Sequence, residues 1–207
     1  MSALLASLSL LSFCVEDRYE AAELNGKAWA ALRSGDAKKS AELFDKAIEA
    51  APSTKPRNWQ RGIALYYAGR YADGAEQFEV HSTVNPQDVE NTVWHLLCLA
   101  RLKDGSLETA RKKLLNVERD GRVPMAEVFD LFAGTGGVEA VDAAAERDGS
   151  PLARFYADLY VGLYHEASGN AEKSAARMKA AAENAPLRGS AMHDVAVAHQ
   201  RIRSEKN

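Results

Sequence analysis

RGIALYYAGRYADGAEQF, Arg61 to Phe78, places glycines at 62, 69 and 74 in a segment that otherwise reads as helix. A glycine inside a helix costs about 1 kcal/mol relative to alanine, so keeping several needs a reason. Internal periodicity supplies one. Ala28, Gly35, Phe44, Ala47 and Pro52 return as Gly62, Gly69, Phe78, His81 and Pro86, each 34 residues on. The template recurs as Gly162, Gly169, Met178, Ala181 and Pro186, each 134 residues after the first set. Every position has a mechanical role in a unit of two antiparallel helices. The small residue at 28, 62 and 162 lets the first helix approach the second closely. The glycine at 35, 69 and 169 sits past the first helix, where a left-handed residue is wanted. Ser40, Gly74 and Ser174 give a second small contact, while Phe44, Phe78 and Met178 fill the space between the helices. The prolines at 52, 86 and 186 have no N–H with which to continue the second helix.

Composition agrees with an all-α chain. Alanine, the best helix former, occurs 37 times in 207 residues, and β-branched residues are sparse. The net charge of −3 gives no electrostatic reason to expect nucleic acid. Two cysteines, Cys14 and Cys98, cannot make a disulfide framework, and Cys98 reads as a small buried thiol. The spacing predicts units over about 21–54, 55–88, 89–121 and 155–188, irregular short helices over 122–150, and a capping helix over 189–204. All belong to one domain, 16–205. Within the third unit, Asn91–Leu102 and Ser106–Val117 are expected to pair. Pro124 opens a short helix closed by Gly134, Val138–Arg147 reads as another, and Ala191–Ile202 is the terminal cap such arrays need.

Residues 1–15 read two ways. MSALLASLSLLSFCV is too short to span a bilayer and has the length of a signal-peptide core, which would mean export. Equally, Leu4, Leu8, Leu11 and Val15 share one face of a helix, which suits a first helix of a cytoplasmic protein. Phe13 stands where a lipoprotein needs a small residue and no Lys or Arg precedes the apolar run, so no lipid anchor at Cys14 is expected.

The 34-residue template is the tetratricopeptide pattern, and the expected fold is a right-handed superhelical stack of helix pairs with a capping helix. NWQRGIALYYAGRYADGAEQF followed by VNPQDVENTVWHLLCLAR goes further. With the late stretch FYADLYVGLYHEASGNAEKSAARMKAAAENAP, it resembles the bacterial tetratricopeptide lipoproteins of the new lipoprotein I family, over about 58–202. That resemblance implies an adaptor without catalysis, one that dimerises and brings cell-envelope hydrolases together with a processing protease.

The residues themselves carry no catalytic signature. The histidines at 81, 95, 165, 193 and 199 have no metal-ligand spacing, FAGTGG at 132–137 lacks the lysine of a phosphate loop, and no nucleophile elbow occurs. No enzyme activity, metal or cofactor is expected. Trp29 and Ile63 stand where a carboxylate clamp for chaperone tails would need asparagine. In such stacks the first helices line a concave surface. The register puts Asn25, Trp29, Leu32 and Arg33 there, then Trp59, Ile63, Tyr66 and Tyr67, then Val93, Leu97 and Arg101. This aromatic wall with a basic edge would suit an extended or helical peptide, with Tyr66 and Tyr67 at a wet edge; Trp59 reads equally as core. The expected function is a protein or peptide scaffold. The alternative is a homodimerising module using the Leu4, Leu8 and Leu11 stripe, or a regulatory subunit of a hydrolase or protease complex.

Overall fold

Among the described residues, seven polar side chains start helices, Ser190 at the head of the last by accepting from His193 N. Asp36, Asn58, Ser150 and Asn170 each accept a hydrogen bond from a backbone N–H three residues on. Asp88 accepts from Glu90 N, and Ser106 forms a reciprocal capping box with Thr109. The computed structural model describes the backbone of residues 2–204 and the side chains of residues 17–204. Within them the elements are α1 (Ser2–Arg33), α2 (Ala37–Ala50), α3 (Trp59–Tyr67), α4 (Tyr71–Ser82), α5 (Val89–Ala100) and α6 (Leu107–Arg111). There follow α7 (Met125–Ala133), α8 (Val138–Asp148), α9 (Pro151–Ala167), α10 (Ala171–Glu183) and α11 (Ala191–Ser204). The architecture is all-helical, with no β-strand among the described residues. No helix there is long and apolar enough to cross a membrane. The Leu4, Leu8, Leu11 and Val15 stripe and Cys14 lie outside the described side chains.

Consecutive helices pack on one another: α1 with α2, α3 with α4, α5 with α6, α7 with α8, and α9 with α10. The small residues sit at these crossings. A Cβ on Gly62 would lie 2.5 Å from Phe78 Cζ, and one on Gly162 would lie 3.1 Å from Met178 Cγ. Ser40 Oγ donates to Ala28 O across 2.8 Å, so the first crossing is closed by a hydrogen bond. Gly74 sits between two neighbours: a Cβ there would lie 3.5 Å from Gly62 O on α3 and 2.8 Å from Cys98 Sγ on α5. Gly69, with φ +80°, ends α3 in the left-handed region, and Arg70 N donates back to Leu65 O at 2.9 Å. Pro86 lies beyond the end of α4, and Pro186 falls in a 3₁₀ turn after α10.

Three features depart from the expectation. The helix expected to reach Val117 stops at Arg111, because α7 takes the place its continuation would need against α5; Arg111 Nε is held there by Phe132 O at 2.8 Å. The long α9 starts at Pro151, four residues before the expected unit, capped by Ser150. Most consequentially, α11 packs on α10 and also returns to α1. One apolar core accordingly runs from Leu32 through α3, α5, α7 and α9 to Ile202.

Candidate functional site

The residues expected to form an open inner wall lie on α1, α3 and α5 and find partners within the chain. Trp29 and Trp59 meet edge to face at 5.9 Å. Trp29 Nε1 donates to Asp194 Oδ2 on α11 at 3.0 Å, and Arg33 stands 3.9 Å from the same carboxylate. Asn25 Oδ1 accepts from Asn58 Nδ2 at 2.8 Å. Leu32, Ile63, Val93 and Leu97 are buried. Tyr66 OH donates to Glu166 Oε2 at 3.1 Å, Tyr67 OH pairs with His199 Nδ1 at 3.0 Å, and Arg101 Nη2 lies 3.4 Å from Glu166. The wall is therefore covered by α9 and α11 instead of open. Tyr66 and Tyr67, expected at a wet edge, are only 1% and 5% exposed. Their hydroxyls can be buried because both reach polar groups on the facing helices.

Two carboxylates join the halves of the molecule. Glu166 on α9 gathers Tyr66, Arg101 and Arg203. Burial alone would raise its pKa, yet His199 and the Arg203 and Arg101 guanidiniums together hold it below the ordinary carboxylate value. Glu90 on α5 gathers Arg122 and the hydroxyls of Tyr156 and Tyr160 on α9. Here burial prevails and raises the pKa, only partly offset by Arg122 and by the Tyr160 hydrogen bond. Arg122 also pairs with Asp88 and Asp120, and lies 5.7 Å from the centroid of the Tyr156 ring.

Because the halves meet through long aromatic side chains, space remains between them. A cavity of about 260 Å³ lies between α3–α5 and α9–α11. Its walls are mainly apolar and aromatic, formed by Trp59, Ile63, Trp94, Phe155, Tyr156 and Met192. Its polar members are His81, Asp88, Glu90, Asn91 and Ser190. Leu152, 43% exposed, stands at the mouth, beside half-buried Leu187 and Ala191. Two of the lining residues also carry a buried polar atom without a hydrogen-bond partner, Asn91 Oδ1 and Trp94 Nε1, and neither atom is open to the cavity.

Of the sequence-derived wall, the cavity takes Trp59 and Ile63. Tyr66, Tyr67, Leu97 and Arg101 belong to the seam beside it, and Asn25, Trp29 and Arg33 to the first unit. The sequence reading missed Asn91, Trp94, Phe155 and Tyr156. The tyrosines at 156, 160 and 164 recur every fourth residue on one face of α9 and were the available signal. Among the described residues no three of His, Cys, Asp or Glu are grouped to hold a metal ion. The Cys98 thiol, packed against Gly74, is pushed up in pKa by burial. The arrangement has the means to bind a group by shape and ring faces. No protein-family model and no curated protein matches the chain.

Proposed function

We propose that this chain is a tetratricopeptide-like stack acting as a non-catalytic adaptor, which holds a segment of a partner protein in the cavity between α3–α5 and α9–α11. The repeat reading is supported by the 34-residue spacing together with the close approaches of Gly62 to Phe78 and Gly162 to Met178. The adaptor reading is carried by one observation: a cavity between the two sets of helices walled by Trp59, Trp94, Phe155 and Tyr156, with exposed Leu152 at its mouth. A side chain entering it would bury apolar area against rigid rings, as anchors do at interface hot spots. The resemblance to envelope adaptors points the same way.

Peptide-display selection on the purified protein, with Ala191→Trp filling the mouth as counter-selection, tests this. Enriched peptides should bind the purified protein and lose at least about tenfold affinity for the filled variant. Peptides that bind both equally, or no enrichment, would contradict the reading.

A further inference from the structure

We infer that the side chain this cavity takes from a partner segment is a neutral aromatic ring, that of phenylalanine or tryptophan, which completes a set of rings the fold already holds apart. This rests on the adaptor reading and deepens it by naming the anchor.

The aromatic walls are braced from behind. Trp59 meets Trp29 at 5.9 Å, and Trp94 meets Tyr66 at 5.4 Å and Tyr67 at 6.0 Å. Phe155 stacks on His193 at 6.4 Å, and Tyr156 on Tyr160 at 6.1 Å. None of these supporting rings lines the cavity. The four wall rings therefore cannot close on the space without giving up contacts already made. Aromatic pairs in edge-to-face or offset packing gain more than the area they bury, so these walls favour a ring over an aliphatic group of equal size. Met192 adds a thioether, which also packs well against rings. Size agrees. A dry apolar cavity of about 150 Å³ accepts benzene. At about 260 Å³ this one has room for a phenyl ring with its linking carbon, or for an indole.

The polar lining asks nothing of a guest, because its members are engaged within the chain. Asp88 Oδ1 accepts from Glu90 N and Arg122, and Oδ2 accepts from Asn85 Nδ2. Glu90 Oε1 accepts from Arg122 and Oε2 from the Tyr160 hydroxyl. His81 Nδ1 donates to Pro56 O at 2.8 Å, Asn91 Nδ2 donates to Phe78 O at 3.1 Å, and Ser190 Oγ accepts from His193 N at 3.3 Å. A cationic guest would have to displace Arg122 to find a counter-charge, and an anionic one would meet two carboxylates. Either would give up its water for no new partner, which is the costly way to bury a charge. A neutral ring has neither difficulty.

The test titrates the full-length protein with capped alanine pentapeptides whose central residue is phenylalanine, cyclohexylalanine, lysine or glutamate. Binding is read from the indole N–H resonances of Trp59 and Trp94. Cyclohexylalanine keeps the six-membered ring and its apolar area but has no π face. The phenylalanine peptide should bind at least about threefold more tightly than the cyclohexylalanine one, and at least about tenfold more tightly than the two charged ones. Ala191→Trp, which fills the mouth, should abolish the shifts. Leu152→Lys, at the exposed rim, should weaken the phenylalanine peptide by about fivefold while leaving the far-ultraviolet circular dichroism unchanged. Cyclohexylalanine binding as tightly as phenylalanine, or a charged peptide binding more tightly, would overturn the aromatic anchor and leave the adaptor reading standing. Shifts that persist in Ala191→Trp, or resonances unmoved by every peptide, would overturn it as well. The adaptor reading is decided separately by the display selection, whose enriched peptides should share an aromatic residue.

Discussion

Gly26 on α1 and Gly62 on α3 are both helical glycines, yet replacing each with alanine should move stability in opposite directions. A Cβ on Gly26 meets nothing within 4 Å, so Gly26→Ala should stabilise by about 0.5–1 kcal/mol through helix propensity alone. A Cβ on Gly62 would lie 2.5 Å from the rigid, buried ring of Phe78, and overpacking of that kind costs about 1–3 kcal/mol. Gly62→Ala should lower the urea midpoint, and adding Phe78→Leu should recover part of the loss. His199 makes a second residue-scale prediction. Burial lowers its pKa to about 4, so the unfolded chain, with an ordinary imidazole, takes up the proton first. Stability is therefore full above about pH 6.5 and falls as the pH drops toward 4, by about 2 kcal/mol between pH 7 and pH 5. Unfolding free energies at those two pH values should differ less in His199→Asn, and an unchanged difference would contradict the assignment. The glycine and phenylalanine pairs were legible in the sequence because volume is exchanged between positions at fixed spacing. Asn91 and Trp94 were not, because whether a buried polar atom is satisfied depends on what lies opposite it.

Helix starts were easier to read than helix ends. Ser106 and Pro124 open α6 and α7 as their residue types suggest, and Gly134, with φ +84°, closes α7. The arrest of α6 at Arg111 was invisible, since it depends on α7 arriving from elsewhere in the chain. Ser150 followed by Pro151 is a start signal that the expected unit, beginning at 155, passed over. Ser150→Ala, which removes the bond from Ala153 N, should cost about 1 kcal/mol in chemical denaturation. At the other end, α11 buries Met192, Val195, Ala196 and Ile202 and covers Tyr67. A chain ending at Ser190 should bind a hydrophobic dye and lose its cooperative thermal transition; the same Tm as the full chain would mean α11 is only an appendage.

For the whole molecule, the period of 34 residues reports how each helix meets its neighbour in the pair. It carries no information on whether a row of pairs stays open or turns back on itself. The turn comes from the irregular helices α7 and α8, where the repeat is broken, and it brings α9 and α11 over α3 and α5. The groups that make the closure, Tyr160 on Glu90 and Glu166 on Tyr66, are separated by 70 and 100 residues, beyond the reach of any local pattern. Closure buries the wall that the register exposes and leaves the cavity as its remainder. A double-mutant cycle of Tyr66→Phe and Glu166→Gln measures that closure most directly. Facing each other across the seam at 3.1 Å, the two should couple by about 1–3 kcal/mol. Stability losses that simply add, to within about 0.5 kcal/mol, would mean that α9 does not lie over α3 in solution.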